Sequence, residues 1–441
     1  MGRRIQERAR SCSLTLVLCF FFLGSVEGSP QVSGNSPSPY GKILNRIELS
    51  GLHHTKRQLV VSELVSKVGE PYLEANAERD RERLDRLGVF SSVTFQAIAE
   101  GDEVILQIEV RETFPYLPTI SIEITEDNGT AVGPGLRSVN LFGRAISLSA
   151  SARFGGQNVV ELRTETPVYA STNMGYQGAF VLRDRFDEVY DFQEDSIDLE
   201  FGFARRWGEA GRYGALFNFL SLESDTSGVT LSPSNRDDIP TLGFFLGYDS
   251  RDLISNPRAG WWNEFQVSKS GLFGGDGDYW TVIVDARRFQ PIVPRHTLAV
   301  FSLATIRTGT VGTDVPTYLQ FNLGGTNTIR GWSLASSNGK NQFINTAEYR
   351  YTLMALRDGK VLGFTGYLGL QLVAFGDLGS AWNDSDQFSG NFIGGYGFGI
   401  RALIPFVNMV RFDLAWGESG VGVSVNIGIM EKAEMQRRRV R

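Results

Sequence analysis

Leu323-Gly324-Gly325-Thr326-Asn327-Thr328-Ile329-Arg330-Gly331-Trp332 interrupts a long run of strand-like segments, and the fold is read from what lies on either side of it. The stretch cannot itself be an ordinary strand. Paired glycines weaken a ladder and permit positive φ, so the backbone here turns tightly or approaches something closely. Arg330 is fixed between Ile329 and Gly331, with Trp332 behind it. Such an arginine is either solvated at a hairpin tip or pinned by a carboxylate, and its planar fork suits the second role.

Outward from this loop, the chain beyond Pro115 and Pro118 is glycine-rich and built of short alternating segments. Candidate strands before the loop are Ile120–Thr125, Ala145–Phe154, Val159–Val168, Met174–Leu182, Ser196–Ala204, Tyr213–Leu222, Thr241–Tyr248, Trp262–Lys269, Trp280–Phe289, Thr297–Thr305 and Tyr318–Asn322. After it come Phe343–Thr352, Gly366–Phe375, Tyr396–Ile404, Met409–Ala415 and Val421–Ile429. An even number of alternating segments, about sixteen, is the pattern of an antiparallel transmembrane β-barrel of the outer-membrane type. All seven tryptophans fall in this region, where aromatic girdles at the two membrane interfaces would place most of them. The mostly β expectation is therefore a barrel over residues 114–430 and a charged C-terminal tail over 431–441.

The first residues read as a secretory signal. Arg3, Arg4, Arg8 and Arg10 precede an apolar block from Leu14 to Leu23, and Val26 and Gly28 set cleavage after residue 28. Both cysteines, Cys12 and Cys19, lie in that leader, so the mature chain would have neither disulfides nor a thiol nucleophile. The formal net charge is −6, and removing the basic leader makes it more negative, which argues against a nucleic-acid partner. No apolar run after residue 28 reaches the ~20 residues of a membrane helix. Contact with a bilayer would have to come through a closed barrel.

Residues 29–41 form a Pro/Ser/Gly linker. From Ile43 the pattern changes to a small α+β domain over 42–113. A strand ends at Ser50-Gly51, and Thr55 is placed to cap a helix presenting Leu59, Leu64, Val65 and Val68. A second helix buries Leu73, Ala77, Leu84 and Leu87, and two alternating strands follow, turning near Asp102. Arg46-Ile47-Glu48-Leu49-Ser50-Gly51, Leu84 to Phe90 and Val104 to Val110 carry a resemblance to one POTRA (polypeptide-transport-associated) domain. That resemblance implies docking of partners and of client strands at a sheet edge. His53 and His54 have no third ligand nearby in sequence and read as solvated.

Four blocks extend the resemblance over nearly the whole mature chain. They are Tyr248-Asp249-Ser250-Arg251-Asp252 with Pro257 to Gly260; Gly324-Gly325 through Trp332; Phe375-Gly376-Asp377-Leu378-Gly379-Ser380-Ala381-Trp382; and Gly395 to Arg401 with Pro405, Arg411 and Asp413. With them the chain resembles the BamA/TamA outer-membrane assembly-factor superfamily, the bacterial surface antigen family, with a single POTRA domain. The resemblance implies that the motif Gly324, Gly325, Arg330, Gly331, Trp332 folds back into the barrel lumen. It also implies that Arg330 pairs there with acidic groups at positions matching Glu348 and Asp377.

A seam between the first strand (about Pro118–Thr125) and the last (Gly420–Ile429) would open in such a protein and template client strands. The implied partners are the outer-membrane lipid bilayer, unfolded outer-membrane or secreted client proteins, and periplasmic or lipoprotein partners at the POTRA domain. No cofactor is implied, and no nucleophile–base–acid set is visible. Gly395, Gly397 and Gly399 alternate along a strand and read as a small-residue stripe rather than a nucleotide loop. Asp249, Arg251 and Asp252 read as a turn-stabilising ion pair. The chain departs from the family in carrying one POTRA-like domain and a charged tail where an aromatic terminus is usual. A passive pore or surface antigen with the same fold is the alternative function.

Overall fold

The computed structural model describes residues 38–113, 115–125, 129–167, 169, 172–208, 210–252, 256–361, 364–384, 388, 390, 392–403, 410–418 and 420–427. The expected leader, most of the linker and the charged tail lie outside the described residues. At the N-terminal side, β1 (Ile43–Ser50), α1 (Arg57–Glu63), α2 (Glu74–Arg86), β2 (Phe90–Glu100) and β3 (Glu103–Glu112) follow in the expected order. β3 is central, parallel to β1 and antiparallel to β2. The helices cover one face of this sheet, and Leu44, Val60, Leu84, Val104, Leu106 and Ile108 are fully buried between the layers.

Two details differ from expectation. Lys56, not Thr55, precedes α1, and no side chain caps that helix. The helix stops at Glu63, so Val68 is left 58 % exposed, and Leu73, just ahead of α2, is 48 % exposed. Asp80, fully buried on α2, takes over the turn between the helices by accepting from the backbone N–H groups of Val65 and Ser66.

The remaining strands form one sixteen-stranded antiparallel sheet. In chain order they are β4 (Tyr116–Thr125), β5 (Gly129–Leu141), β6 (Ile146–Gly155), β7 (Asn158–Glu165), β8 (Met174–Asp187), β9 (Phe192–Trp207), β10 (Gly211–Ser224), β11 (Arg236–Asp249), β12 (Gly260–Ser270), β13 (Tyr279–Val293) and β14 (His296–Arg307). A long loop, residues 308–340, then carries a small hairpin of β15 (Phe321–Leu323) and β16 (Ser337–Gly339) that lies off the main sheet. The sheet resumes with β17 (Asn341–Val361), β18 (Phe364–Trp382), β19 (Ile393–Leu403), β20 (Val410–Gly417) and β21 (Gly420–Ile427). Because strands alternate in direction, the 308–340 loop opens at the end opposite the α+β domain.

The strand number matches through two compensating departures. β5 was not among the expected strands; it carries Gly129 and Gly133-Pro134-Gly135, residue types that favour turns. Tyr318–Asn322, expected as a strand of the wall, belongs instead to the loop and is only partly extended. Along β11, Leu242, Phe244, Leu246 and Tyr248 are exposed while Gly243 and Gly247 are buried, the period of two that separates an apolar outside from a packed inside. The tryptophans divide. Trp207, Trp261 and Trp280 are exposed, whereas Trp262 and Trp382 are buried.

The α+β domain interlocks with the β5–β6 hairpin. Asn140 donates to Thr55 Oγ1 at 2.8 Å, and its carbonyl accepts from His54 Nε2 at 2.8 Å. Lys56 N–H donates to the Gly143 carbonyl, and Ala145 is buried in the domain's own core. Glu112 accepts from the backbone of His54 and Thr55. The two adjacent histidines are thus not equivalent loop residues, since His54 is part of a domain junction.

Candidate functional site

The 308–340 loop turns inward, and its glycines make that possible. Gly324 has φ +118° and its N–H donates to Thr328 Oγ1 at 2.7 Å, closing a tight turn that a side chain would obstruct. Gly331 has φ +89°, and a Cβ there would run into the backbone of Trp416 and Gly417 at the β20–β21 turn. Trp332 follows and donates its indole N–H to the Gly394 carbonyl at 2.7 Å. The Arg-Gly-Trp turn therefore lies against the far ends of β19, β20 and β21.

Arg330 is 1 % exposed and makes a bidentate pair with Asp377 on β18, Nε to Oδ2 at 2.7 Å and Nη2 to Oδ1 at 3.0 Å. Its Nη1 donates to Asp413 on β20 at 2.7 Å. Its guanidinium lies 3.3 Å from the centre of the Phe375 ring. Glu348 on β17 is more distant, 3.7 Å from Nη1, and is engaged chiefly by Arg350 at 2.8 Å and Arg401 at 3.0 Å. Arg401 also pairs with Asp413, and Thr346 donates to Asp377 at 2.8 Å. Three carboxylates and their arginines thus form one connected, water-poor network across β17, β18, β19 and β20.

Of the residues singled out in the sequence, Arg330, Glu348 and Asp377 come together, with Asp377 as the direct partner. Asp413 was noted only as part of a motif. Its position on β20, two strands along from Asp377, is what brings it to the second edge of the guanidinium. Gly395, Gly397 and Gly399 explain the room for this network. Side chains there would strike the Arg330 carbonyl, the Phe375 ring and Asp413 respectively, so the stripe is the inward face on which the loop rests. Asp249 and Arg251 form a bidentate pair beside a strand end, at 3.0 Å for each contact, and Asp252 accepts from the backbone of Arg258 and Ala259.

A second anchor sits farther round the wall, beyond β14. Tyr318 donates to Asp237 on β11 at 2.9 Å, and Leu319 and Val315 pack with Phe192, Leu220, Leu222, Ile239 and Tyr279 from β9, β10, β11 and β13. Buried Arg307 holds the loop's root, donating to the Leu319 carbonyl and lying over the Phe321 ring at 4.4 Å. The loop is thus fixed to the wall at two places, β9–β13 and β17–β20, with β14 between them.

The sheet has two free edges. Every neighbouring pair from β4 to β20 and β21 is joined by a ladder, but among the described residues none joins β21 to β4, although the two approach each other.

The Omp85 superfamily domain matches residues 140–429, and the POTRA model, described as a surface antigen variable number repeat, matches residues 43–113. The chain belongs to the Omp85 superfamily. Its barrel lies in the bacterial outer membrane and its POTRA domain in the periplasm. It is 23 % identical over 358 residues to the outer membrane protein assembly factor BamA of Nitratidesulfovibrio vulgaris, aligning 78 % of this chain with 45 % of that one. It is 21 % identical over 420 residues to BamA of Neisseria meningitidis serogroup B, aligning 84 % of this chain with 51 % of that one.

The chain spans about half the length of these curated relatives. Among solved structures, BamA from Haemophilus ducreyi lacking POTRA domains 1-3 superposes with a TM-score of 0.59 at 14 % identity, covering 87 % of this chain and 83 % of that one. CdiB from Escherichia coli superposes with a TM-score of 0.63 at 13 % identity, covering 88 % of this chain and 75 % of that one. For this Omp85 protein, the loop opposite the POTRA domain is therefore extracellular in origin, and the POTRA–barrel interlock is periplasmic.

Proposed function

We propose that this protein assists the insertion or translocation of other outer-membrane proteins, by templating client strands at the seam between β4 and β21. The observation that carries the reading is the pair of strand edges that, among the described residues, have no ladder between them. Unpaired backbone N–H and C=O groups in a bilayer each cost several kcal/mol, so such edges take up an extended segment readily. The two relatives named as assembly factors support the same reading.

The Arg330 network gives the seam its asymmetry. It staples β17, β18, β19 and β20 into one unit, and β21 joins that unit through its ladder to β20. Movement at the seam then displaces β21 or β4 without dismantling the rest. The alternative, a passive pore, is disfavoured by the loop that turns inward and is anchored at two places on the wall.

The test is depletion of the protein followed by quantitation of all outer-membrane barrels. A broad fall supports a general assembly role, and loss of one or two surface proteins supports a dedicated one. Unchanged levels of every barrel and surface protein overturn the proposal.

A further inference from the structure

The edge that β4 offers to the seam is not uniform. The β4–β5 ladder runs unbroken from Tyr116↔Ser138 to Thr125↔Gly129, straight through Pro118↔Leu136 and Ile120↔Pro134. In an antiparallel pair, residues alternate between positions that exchange N–H···O bonds and positions that do not. A proline has no N–H, so two prolines fit an unbroken ladder only at non-bonded positions. Both satisfy this, because residues 118 and 120 are two apart and share one class.

The nitrogen of Pro134 must then point away from β4, toward β6. There the β5–β6 ladder has a gap, with no partner for Gly133 or Pro134 between Val132↔Phe154 and Gly135↔Ser151. That gap is an independent sign of the same parity. By the two-residue period, residues 116, 118, 120, 122 and 124 turn their backbone polar groups away from β5, toward the seam. Four of these five offer both a donor and an acceptor. Pro118, near the periplasmic end, offers only its carbonyl.

We propose that Pro118 is a built-in stop on seam pairing. Among the described residues β21 and β4 share no ladder; when β21 closes on β4, or a client segment adds to it, pairing runs from Ile120 toward the extracellular end and stops at Pro118. The periplasmic end of the seam therefore stays parted, on the side from which a client arrives. The advantage of that parting for clients rests on the assembly reading above; the parting itself does not. Proline on an exposed edge is a general means of blunting β-pairing, and here it blunts one end only.

The experiment is hydrogen–deuterium exchange of the full chain in lipid nanodiscs, comparing the natural protein with Pro118→Val and Pro134→Val. Valine restores the donor and suits a lipid-facing strand position. Pro118→Val should slow exchange of the β4 amides nearest residue 118 about tenfold or more, the effect of roughly one hydrogen bond's added stability. Pro134→Val controls for the loss of a proline as such, and should alter exchange in β5 and β6 while leaving the seam edge unchanged.

Unchanged β4 exchange in folded Pro118→Val overturns the proposal, as does an equal β4 response to Pro134→Val. In depleted cells, Pro118→Val should also complement barrel assembly poorly. If β4 exchange slows but assembly is unaffected, the stop stands and the assembly reading is the one that fails.

Discussion

Arg330→Ala removes the loop side chain that pairs with both Asp377 and Asp413, and its cost follows from what is left behind. Asp377 keeps the Thr346 hydroxyl at 2.8 Å and the backbone N–H of residue 330 at 3.2 Å, and loses its bidentate guanidinium. Asp413 keeps Arg401. Both carboxylates are nearly inaccessible while the loop covers them. Breaking a buried pair by removing one partner typically costs about 3–5 kcal/mol, and loss of the contact with Phe375 adds about 1 kcal/mol. Opening the loop lets water reach the stranded carboxylates, so nearly all of this acts on the closed state. The open population should rise by roughly a thousandfold to ten-thousandfold.

The assay is limited chymotrypsin digestion of the folded barrel, with cleavage after Trp332 compared with cleavage after Tyr318. Where opening and closing are fast relative to cleavage, the rate follows the open population. Cleavage after Trp332 should accelerate strongly, while Tyr318, held by Asp237 and the apolar cluster around Leu319, stays protected. Adding Asp377→Ala to Arg330→Ala should recover part of the protection, since the loop then covers one stranded charge fewer. Equal cleavage of Arg330→Ala and the natural protein would refute the reasoning. So would a double variant more labile than the single one, because that outcome removes the stranded charge as the cause.

Tyr318→Phe should loosen the other end of the loop by about 1 kcal/mol or more, since Asp237 loses a donor, and planar-bilayer recordings should show more frequent channel openings. Gly397→Val should destabilise the barrel by about 1–3 kcal/mol as the added methyls meet the Phe375 ring and the β20 backbone, read as a lower temperature for loss of heat-modifiable migration. At the periplasmic junction, burial pushes the Glu112 carboxyl up, but hydrogen bonds from the Thr55 hydroxyl and from the backbone of Thr55, His54 and His53 outweigh it and hold the group below the ordinary carboxylate range. A group lowered on folding stabilises above its unfolded value and loses that contribution as pH falls through its folded one. Cross-linking between the POTRA domain and the β5–β6 hairpin should thus be constant around neutrality and weaken only in acid below about pH 4, with Glu112→Gln weakened at all pH values.

Much of the barrel was legible because its signal is local. A lipid-facing strand alternates by chemistry, and β11 or β14 can be read without knowing its neighbours. The exceptions have local causes too. β5 hides behind Gly133-Pro134-Gly135, residues that signal a turn, yet Pro134 is tolerated because its nitrogen faces a break in the β6 ladder. Tyr318–Asn322 alternates like a strand because one side of it packs on the β9–β13 wall, which is burial without membership of the sheet.

At the site, the Arg330 and Asp377 positions could be reached through motif resemblance. The partition among Asp377, Asp413 and Glu348 depends on strand register, which pairs Thr346 with Asp377 and places Asp413 opposite Gly399. No residue pattern within one strand carries that information. His54 likewise became a junction residue only through a hairpin 86 residues away.

The same register explains why mobility should concentrate at one place. A charge network in a low-dielectric interior is cooperative, since moving one member leaves another unpaired at full desolvation cost. Glu348, Asp377, Arg401 and Asp413 put β17, β18, β19 and β20 under that penalty together, so these strands resist separation as a block. β21 presents Gly422, Ser424 and Asn426 opposite Ala415, Asp413 and Arg411, and no ionisable side chain of its own. Having no ionisable side chain, it carries none of the charge penalty that binds its neighbours. The boundary between rigid and movable wall thus falls between β20 and β21, one strand from the free edge. Loop anchoring and seam opening are then compatible in one molecule: Arg330 can remain bound to Asp377 and Asp413 while β21 swings. If so, the natural protein should keep Trp332 protected from chymotrypsin while a client is trapped at the seam. Cleavage that rises in step with client trapping would show instead that the loop must leave before the seam opens.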